Sequence, residues 1–132
     1  MEPMNILFLD DDENRISTVE YYIPCVKIAR SASECIHILD DTSKLEYTLI
    51  SLDHDLGGHI FVNSEEKNTG MEIVRWLYTH PVNCSLFVVH SFNAIGAENM
   101  AMGLKKLKYS VERILFNKQF YEQIGIICNL NI

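Results

Sequence analysis

Carboxylate and imidazole side chains follow three separate apolar runs in the sequence. These side chains are Asp10, Asp11, Asp12, Asp53, His54, Asp55 and His90. Two ionised carboxylates 4 Å apart repel by about 4 kcal/mol at an effective dielectric constant of about 20, so a fold that gathers several must neutralise them with protons or a cation. Mg²⁺ and Mn²⁺ take oxygen ligands and keep waters that a phosphate can displace. These residue types therefore favour a divalent-metal site for phosphate chemistry.

The elements that must position these side chains are predicted from the alternation of short apolar runs with amphipathic segments. Strands are expected at residues 5–9, 26–29, 47–52, 86–89 and 111–116, and helices at residues 13–22, 31–39, 69–79, 97–107 and 119–128. Ser31 and Glu34 have the spacing of a capping box at the start of the second helix. We therefore expect residues 1–132 to form one three-layer α/β domain. Its core would be a doubly wound, parallel, five-stranded sheet with the flavodoxin-like strand order 2-1-3-4-5.

The strand order predicts where the polar side chains meet. Ligands of such sheets bind outside the carboxyl ends of the strands, at the switch point, so the residues after the first, third and fourth strands are expected to converge. The polar, glycine-bearing stretch 54–69 is too long for a simple turn and is a candidate functional loop. Structural roles also fit single residues: Asp11 or Asp12 as a helix cap, Asp55 in a turn and His90 in the core.

The composition narrows the classes of function. The chain has 18 acidic and 11 basic side chains among 132 residues, for a net charge of −7. Proteins that wrap duplex nucleic acid normally present a basic surface, so this class is disfavoured. The four cysteines form no CxxC pair, which disfavours a zinc knuckle or a redox dithiol. No apolar run is long enough to span a membrane, and we expect a cytoplasmic protein, in the host cytoplasm if it is phage-encoded.

Along most of its length the sequence resembles the receiver domain of two-component response regulators. Asp10 and Asp11 follow the first strand, and Asp53 follows the third. The resemblance implies that the first pair binds Mg²⁺ and that the third-strand aspartate accepts a phosphoryl group. It also implies the receiver-like fold.

Three features depart from the receiver pattern. His90 precedes Ser91 where a receiver has one small hydroxyl residue, no proline follows Lys118, and the loop after the third strand is several residues longer. With these three features, the sequence resembles the cyclic-phosphate-processing receiver-like family. The resemblance rests on LDD at 9–11, LDHDLG at 52–57, TG at 69–70 and HSFNAIG at 90–96. It implies action on phosphoester bonds rather than phosphorelay.

The resulting hypothesis is a metal-dependent phosphoesterase. Its partner would be a small phosphorylated substrate, such as a cyclic nucleotide or a 2′,3′-cyclic phosphate at an RNA end. Asp10, Asp11 and Asp53 would hold one Mg²⁺ or Mn²⁺ ion, with Asp55 as an extra ligand or an orienting group. Asp53 could instead be a nucleophile that forms an aspartyl phosphate.

The remaining polar residues receive catalytic or substrate-binding roles in this hypothesis. His90 would be a general acid or base, because an unperturbed imidazole titrates near pH 6.5. His54 would complete the catalytic group. The candidate phosphate contacts are Ser91, Asn93, Arg15 and Lys118.

Two other functions fit the same residues. A stand-alone receiver would be phosphorylated on Asp53 and signal through the change in charge. A sequestering protein would hold a phosphorylated signal without cleaving it. An exposed fourth-helix face would also allow a homodimer, which nothing in the sequence requires.

Overall fold

The computed structural model describes residues 4–117 and 120–128, in which five strands alternate with five helices. The strands are β1 (Ile6–Leu9), β2 (Lys27–Ala29), β3 (Glu46–Leu52), β4 (Asn83–Val89) and β5 (Val111–Arg113). The helices are α1 (Glu13–Tyr22), α2 (Ala32–Asp41), α3 (Gly70–Leu77), α4 (Ala94–Lys106) and α5 (Phe120–Ile127). Neighbouring strands pair in parallel in the order β2-β1-β3-β4-β5, which confirms the predicted fold.

Two apolar cores cover the sheet, one on each face. Successive strand residues point to opposite faces, so Leu7 and Phe8 of β1 enter different cores. Phe8 packs with Ile16 of α1 and Phe120 of α5, whereas Leu7 belongs to the core formed with α2, α3 and α4. Burial on both faces explains why the central strands are continuous apolar runs in the sequence. Within the described part of the chain, no helix combines the length and the hydropathy needed to cross a membrane.

Helix caps fix the starts of three helices. The caps are Asp12 for α1, Ser31 for α2 and Asn93 for α4, and each side chain accepts a hydrogen bond from the backbone N–H three residues later. The Ser31 cap confirms the predicted start of α2. The Asn93 cap starts α4 at Ala94, earlier than the predicted 97.

The ends of two strands also differ from the prediction. β4 begins at Asn83 rather than at 86, because Asn83 pairs with Glu46 of β3 while its exposed side chain needs no apolar neighbour. β5 ends at Arg113 rather than at 116.

The long loop at residues 54–69 is closed at its base beside Asp53. Asp55 and Thr69 form an isolated antiparallel bridge, and the Gly70 N–H donates to the carbonyl of His54 at 3.0 Å. A Cβ at Gly70 would overlap the carbonyl oxygen of Asp53, so this close approach requires glycine. The loop therefore begins and ends at the carboxyl edge of the sheet.

Candidate functional site

Asp10, the first residue after β1, is fully buried and ionised. Arg15 donates to both of its oxygens, from Nε to Oδ2 at 2.8 Å and from Nη2 to Oδ1 at 3.0 Å. The Asp12 N–H donates to Oδ1 at 2.9 Å, and Nε2 of His90 lies 3.0 Å from Oδ2. Burial opposes the charge, but the hydrogen bonds from His90 and Arg15 outweigh it and lower the pKa of Asp10 to about 2.

His90, the residue after β4, is buried beneath the carboxyl edge of the sheet. Because ionised Asp10 can only accept, Nε2 of His90 carries the hydrogen and Nδ1 accepts from the Ser51 hydroxyl at 2.7 Å. The ring also stacks on Phe8, with centroids 4.5 Å apart and planes 11° from parallel. Burial lowers the pKa of His90 below its ordinary value, although the bond to Asp10 opposes the shift. The imidazole is therefore neutral at neutral pH.

Asp53, the residue after β3, is buried next to Asp10. Its Oδ1 accepts from the His54 N–H at 2.9 Å, and its Oδ2 lies 3.6 Å from Nη2 of Arg15. Burial and the charge of Asp10 raise the pKa of Asp53 to about 8, despite Arg15. In the absence of a further positive charge, this carboxyl is therefore mostly protonated at neutral pH.

Asp10, Asp53 and His90 form a cluster that is close enough to hold a metal ion. Each offers one ligand atom, and these atoms lie within 4.8 Å of one another. In the neutral ring of His90, Nε2 carries the hydrogen and Nδ1 accepts from Ser51, so the ligands left for a cation in this cluster are the two carboxylates. Carboxylate oxygens are ligands that Mg²⁺ and Mn²⁺ take in proteins. Burial and the charge of Asp10 both oppose the ionisation of Asp53, and a divalent cation would offset both effects. The residues therefore fit a divalent cation.

An open cavity of about 300 Å³ lies above this cluster. It is lined by Asp11, Asp12, Arg15, Asp53, Asp55, Gly58, His59, Ile60, Ser91, Phe92 and Asn93. The polar part of this lining includes carboxyl groups, the Arg15 side chain and Ser91. Ile60 and Phe92, both exposed, add apolar surface to the same cavity.

A hydrogen-bond network fixes the loop at residues 54–69 over the cavity. Asp55 accepts from Nδ2 of Asn93 at 2.9 Å and from the Phe61 N–H at 2.6 Å, and it lies 2.7 Å from Nδ1 of His54. Nε2 of His54 lies 2.9 Å from Oγ of Ser64, which belongs to the same loop. Burial opposes the charge of Asp55, but the bonds from His54 and Asn93 outweigh it and lower its pKa. An ionised carboxylate therefore holds the loop in place.

The structure brings most of the residues proposed from the sequence to this edge. The cavity-lining members are Asp11, Arg15, Asp53, Asp55, Ser91 and Asn93. Asp10 and His90 lie beneath the cavity, and His54 is buried against the loop. The side chain of Asp11 points toward the loop at residues 54–69, where its carboxylate accepts a hydrogen bond from the Gly58 N–H at 2.6 Å. Lys118 lies outside the described residues.

Two residues that hold the buried histidines in place are missing from the sequence-based set. Ser51 holds Nδ1 of His90, and its signal is a buried hydroxyl within the apolar strand β3. Ser64 contacts His54 from the loop, and no spacing rule picks it out among the polar residues there.

A family model of the cyclic-phosphate processing receiver domain matches residues 5–106, more than half of the chain. The chain belongs to this family. The match runs from before β1 to the end of α4 and therefore contains Asp10, Asp53 and His90. A comparison with curated protein sequences gives no significant match.

The fold of this receiver-family chain is similar to that of solved response-regulator receivers. A CheY-like receiver domain from Methylobacillus flagellatus superposes with a TM-score of 0.66 at 15% identity, covering 98% of this chain and 100% of that one. A CheY-like receiver domain protein from Methanospirillum hungatei JF-1 gives 0.63 at 16% identity, over 97% and 93%. A response regulator from Burkholderia pseudomallei, solved with a phosphorylated aspartic acid, a calcium ion and citrate, gives 0.62 at 13% identity, over 95% and 66%. At these identities the similarity establishes the fold.

Proposed function

We propose that this receiver-family domain is a phosphoesterase that uses a divalent cation, Mg²⁺ or Mn²⁺. Its substrate would be a small phosphate ester such as a cyclic nucleotide or a 2′,3′-cyclic phosphate at an RNA end. The observation that carries the proposal is the buried Asp53 carboxyl, held against Asp10 at the floor of an open cavity. Burial first, and then the charge of Asp10, raise the pKa of Asp53 to about 8. A strongly perturbed carboxyl at a cavity is typical of a functional site.

The cation would be held by carboxylate oxygens of Asp10 and Asp53, while His90 keeps its Nε2–H bond to Asp10. When bound, a divalent cation supplies a Lewis acid that neutralises negative charge on phosphoryl oxygens. Asp53 is then favoured as a carboxylate, because nearby positive charge lowers a carboxyl pKa. The other predicted ligands, Asp11 and Asp55, bind N–H groups of the loop, and we assign them to shaping the cavity.

The phosphate would be bound by Arg15 and Ser91, which line the cavity. The planar guanidinium of Arg15 matches two phosphate oxygens. Oγ of Ser91 accepts from the Asn93 N–H at 3.1 Å, so its own hydroxyl hydrogen is left to donate toward the cavity. His90 is absent from the cavity lining, and we infer that it positions Asp10 instead of transferring a proton to the substrate.

Hydrolysis by the purified domain tests this proposal. The domain is incubated with Mg²⁺ or Mn²⁺ and a panel of cyclic mononucleotides, cyclic dinucleotides, 2′,3′-cyclic phosphates and a generic phosphodiester. We expect turnover of at least one class, and its loss in Asp53→Asn but not in Asp40→Asn, which changes an exposed aspartate of α2. No turnover of any substrate would overturn the proposal, and tight calorimetric binding without product would indicate a sequestering protein.

A stand-alone receiver is the second candidate, favoured by the position of Asp53 at the end of β3 and in the cavity lining. In this case Asp53 would accept a phosphoryl group and keep it. Incubation with a small phosphodonor, followed by intact-mass measurement, separates the two functions. A stable gain of one phosphoryl group that Asp53→Asn abolishes, without turnover of the panel, would favour the receiver.

A further inference from the structure

We propose that Arg15 is a built-in cation of this site, which a divalent ion must displace from Asp10 before it binds. This inference rests on the proposed function, because it concerns the cation of the phosphoesterase. The Arg15 guanidinium lies among three carboxyl groups. It contacts both oxygens of Asp10, and it lies 3.6 Å from Asp53 and 3.8 Å from Asp12.

The lone pairs of Asp10 show why displacement is needed. A carboxylate offers about four acceptor positions on its two oxygens. In Asp10 these face the Asp12 N–H, two N–H groups of Arg15 and Nε2 of His90. A cation can therefore coordinate Asp10 only when one of these donors leaves.

Arg15 is the donor that can leave. His90 is buried between Asp10 and Ser51, and the Asp12 N–H belongs to the backbone at the start of α1. The Arg15 side chain is 28% exposed and already lines the cavity. Its flexible stem allows the guanidinium to turn into the cavity without any change in the sheet.

The released guanidinium would face the space in which we place the phosphate. A cation between Asp10 and Asp53 and a phosphate on Arg15 would then favour each other, since each needs the guanidinium away from Asp10. Arg15 would thus couple the binding of the two ligands, and by linkage the coupling is reciprocal.

Mn²⁺ binding measured by electron paramagnetic resonance tests the competition without any assay of activity. We expect Arg15→Gln to bind Mn²⁺ about tenfold more tightly than the unchanged protein, because the competing charge is gone. Inorganic phosphate should tighten Mn²⁺ binding in the unchanged protein and have much less effect in Arg15→Gln. Arg30→Gln is the matched control, because Arg30 forms an exposed ion pair with Glu13, and it should leave Mn²⁺ affinity unchanged.

A second measurement follows Arg15 itself in the unchanged protein. The ¹⁵N resonance of its Nε–H group should shift as Mg²⁺ saturates the site, because the bond to Asp10 is broken. Equal or weaker Mn²⁺ binding by Arg15→Gln, no Mn²⁺ binding by either protein, or an Nε–H resonance unmoved at Mg²⁺ saturation would each overturn the inference. Absence of phosphoester hydrolysis would leave these binding results standing, so the two proposals fail separately.

Discussion

The imidazole of His90 donates from Nε2 to Oδ2 of Asp10 across 3.0 Å, and both side chains are buried. The two residues follow β4 and β1, which are separated in the sheet by β3. Ser51 of β3 completes the connection by bonding Nδ1 of the same ring at 2.7 Å. Hydrogen bonds through the His90 ring thus connect the ends of three strands. They hold the Asp10 carboxylate in position and favour its ionised form.

Replacing His90 should destabilise the fold. In His90→Gln the buried, ionised Asp10 loses a well-aligned donor and Phe8 loses its stacking partner, so we expect the free energy of unfolding to fall by about 2 kcal/mol. Urea denaturation measures the change. His37→Gln, at an exposed position of α2, is the control and should have little effect. Equal stabilities of the two variants would contradict the role of His90.

Replacing Asp53 should stabilise the fold while removing activity. The pKa of Asp53 is about 8 in the folded protein, against an ordinary value of 3.8. Between these values the unfolded chain is ionised and the folded chain is protonated, so stability falls as the pH rises from about 4 to about 8. Asparagine does not titrate, so Asp53→Asn does not lose stability in this way. We expect its free energy of unfolding to be about 2 kcal/mol higher than that of the unchanged protein at pH 7.

The pH dependence of this difference gives the check. Denaturation of both proteins without added metal should show similar stabilities near pH 4 and a gap that widens up to about pH 8. A constant gap would mean that the substituted asparagine stabilises the fold by some means other than the loss of a titrating carboxyl. A less stable variant at pH 7 would contradict the assigned pKa.

The exposed ring of Phe92 should contribute to substrate binding. Phe92 is 57% exposed and lines the cavity with Ile60, which is 79% exposed. Stacking of a base on an aromatic ring contributes about 1–3 kcal/mol, so Phe92→Ala should raise KM at least about fivefold for a nucleotide substrate, with little change in kcat. Steady-state kinetics would show this, with Tyr21→Ala, an exposed ring of α1, as the control. A fall in kcat at constant KM would assign Phe92 to a different role.

The carboxylate of Asp55 should be needed to order the loop at residues 54–69. Asp55→Ala removes the acceptor for the Phe61 N–H and for the side chain of Asn93. The backbone of Phe61 has an unfavourable φ of 52°, and the hydrogen bond to Asp55 helps to hold it there. We expect limited proteolysis to cleave the loop about tenfold faster, because its local opening becomes easier. Cleavage at the rate of the Asp40→Ala control would show that other contacts order the loop.

Most of the fold could be predicted from the sequence, for identifiable physical reasons. Burial on both faces makes strands such as β1 and β3 continuous apolar runs, and the Ser31 cap marks the start of α2. The early starts of β4 and α4 were missed, because exposed Asn83 and capping Asn93 interrupt the apolar pattern without interrupting the elements.

The candidate site was predictable only in part. The switch-point rule places Asp10, Asp53 and His90 at one edge of the sheet, and there the structure brings their ligand atoms together. The direction of the Arg15 side chain and the turn of Asp11 toward the loop depend on side-chain rotamers and on the path of the loop at residues 54–69. Sequence spacing carries no information about either.

A crystal structure with Mn²⁺ and inorganic phosphate, recorded at a wavelength that shows manganese by anomalous scattering, tests the central claim most directly. We predict an anomalous peak bonded to oxygens of Asp10 and Asp53, with phosphate beside it in the cavity and the Arg15 guanidinium moved from Asp10 to the phosphate. Phosphate without manganese at these carboxylates, or manganese bound only elsewhere on the chain, would contradict the account.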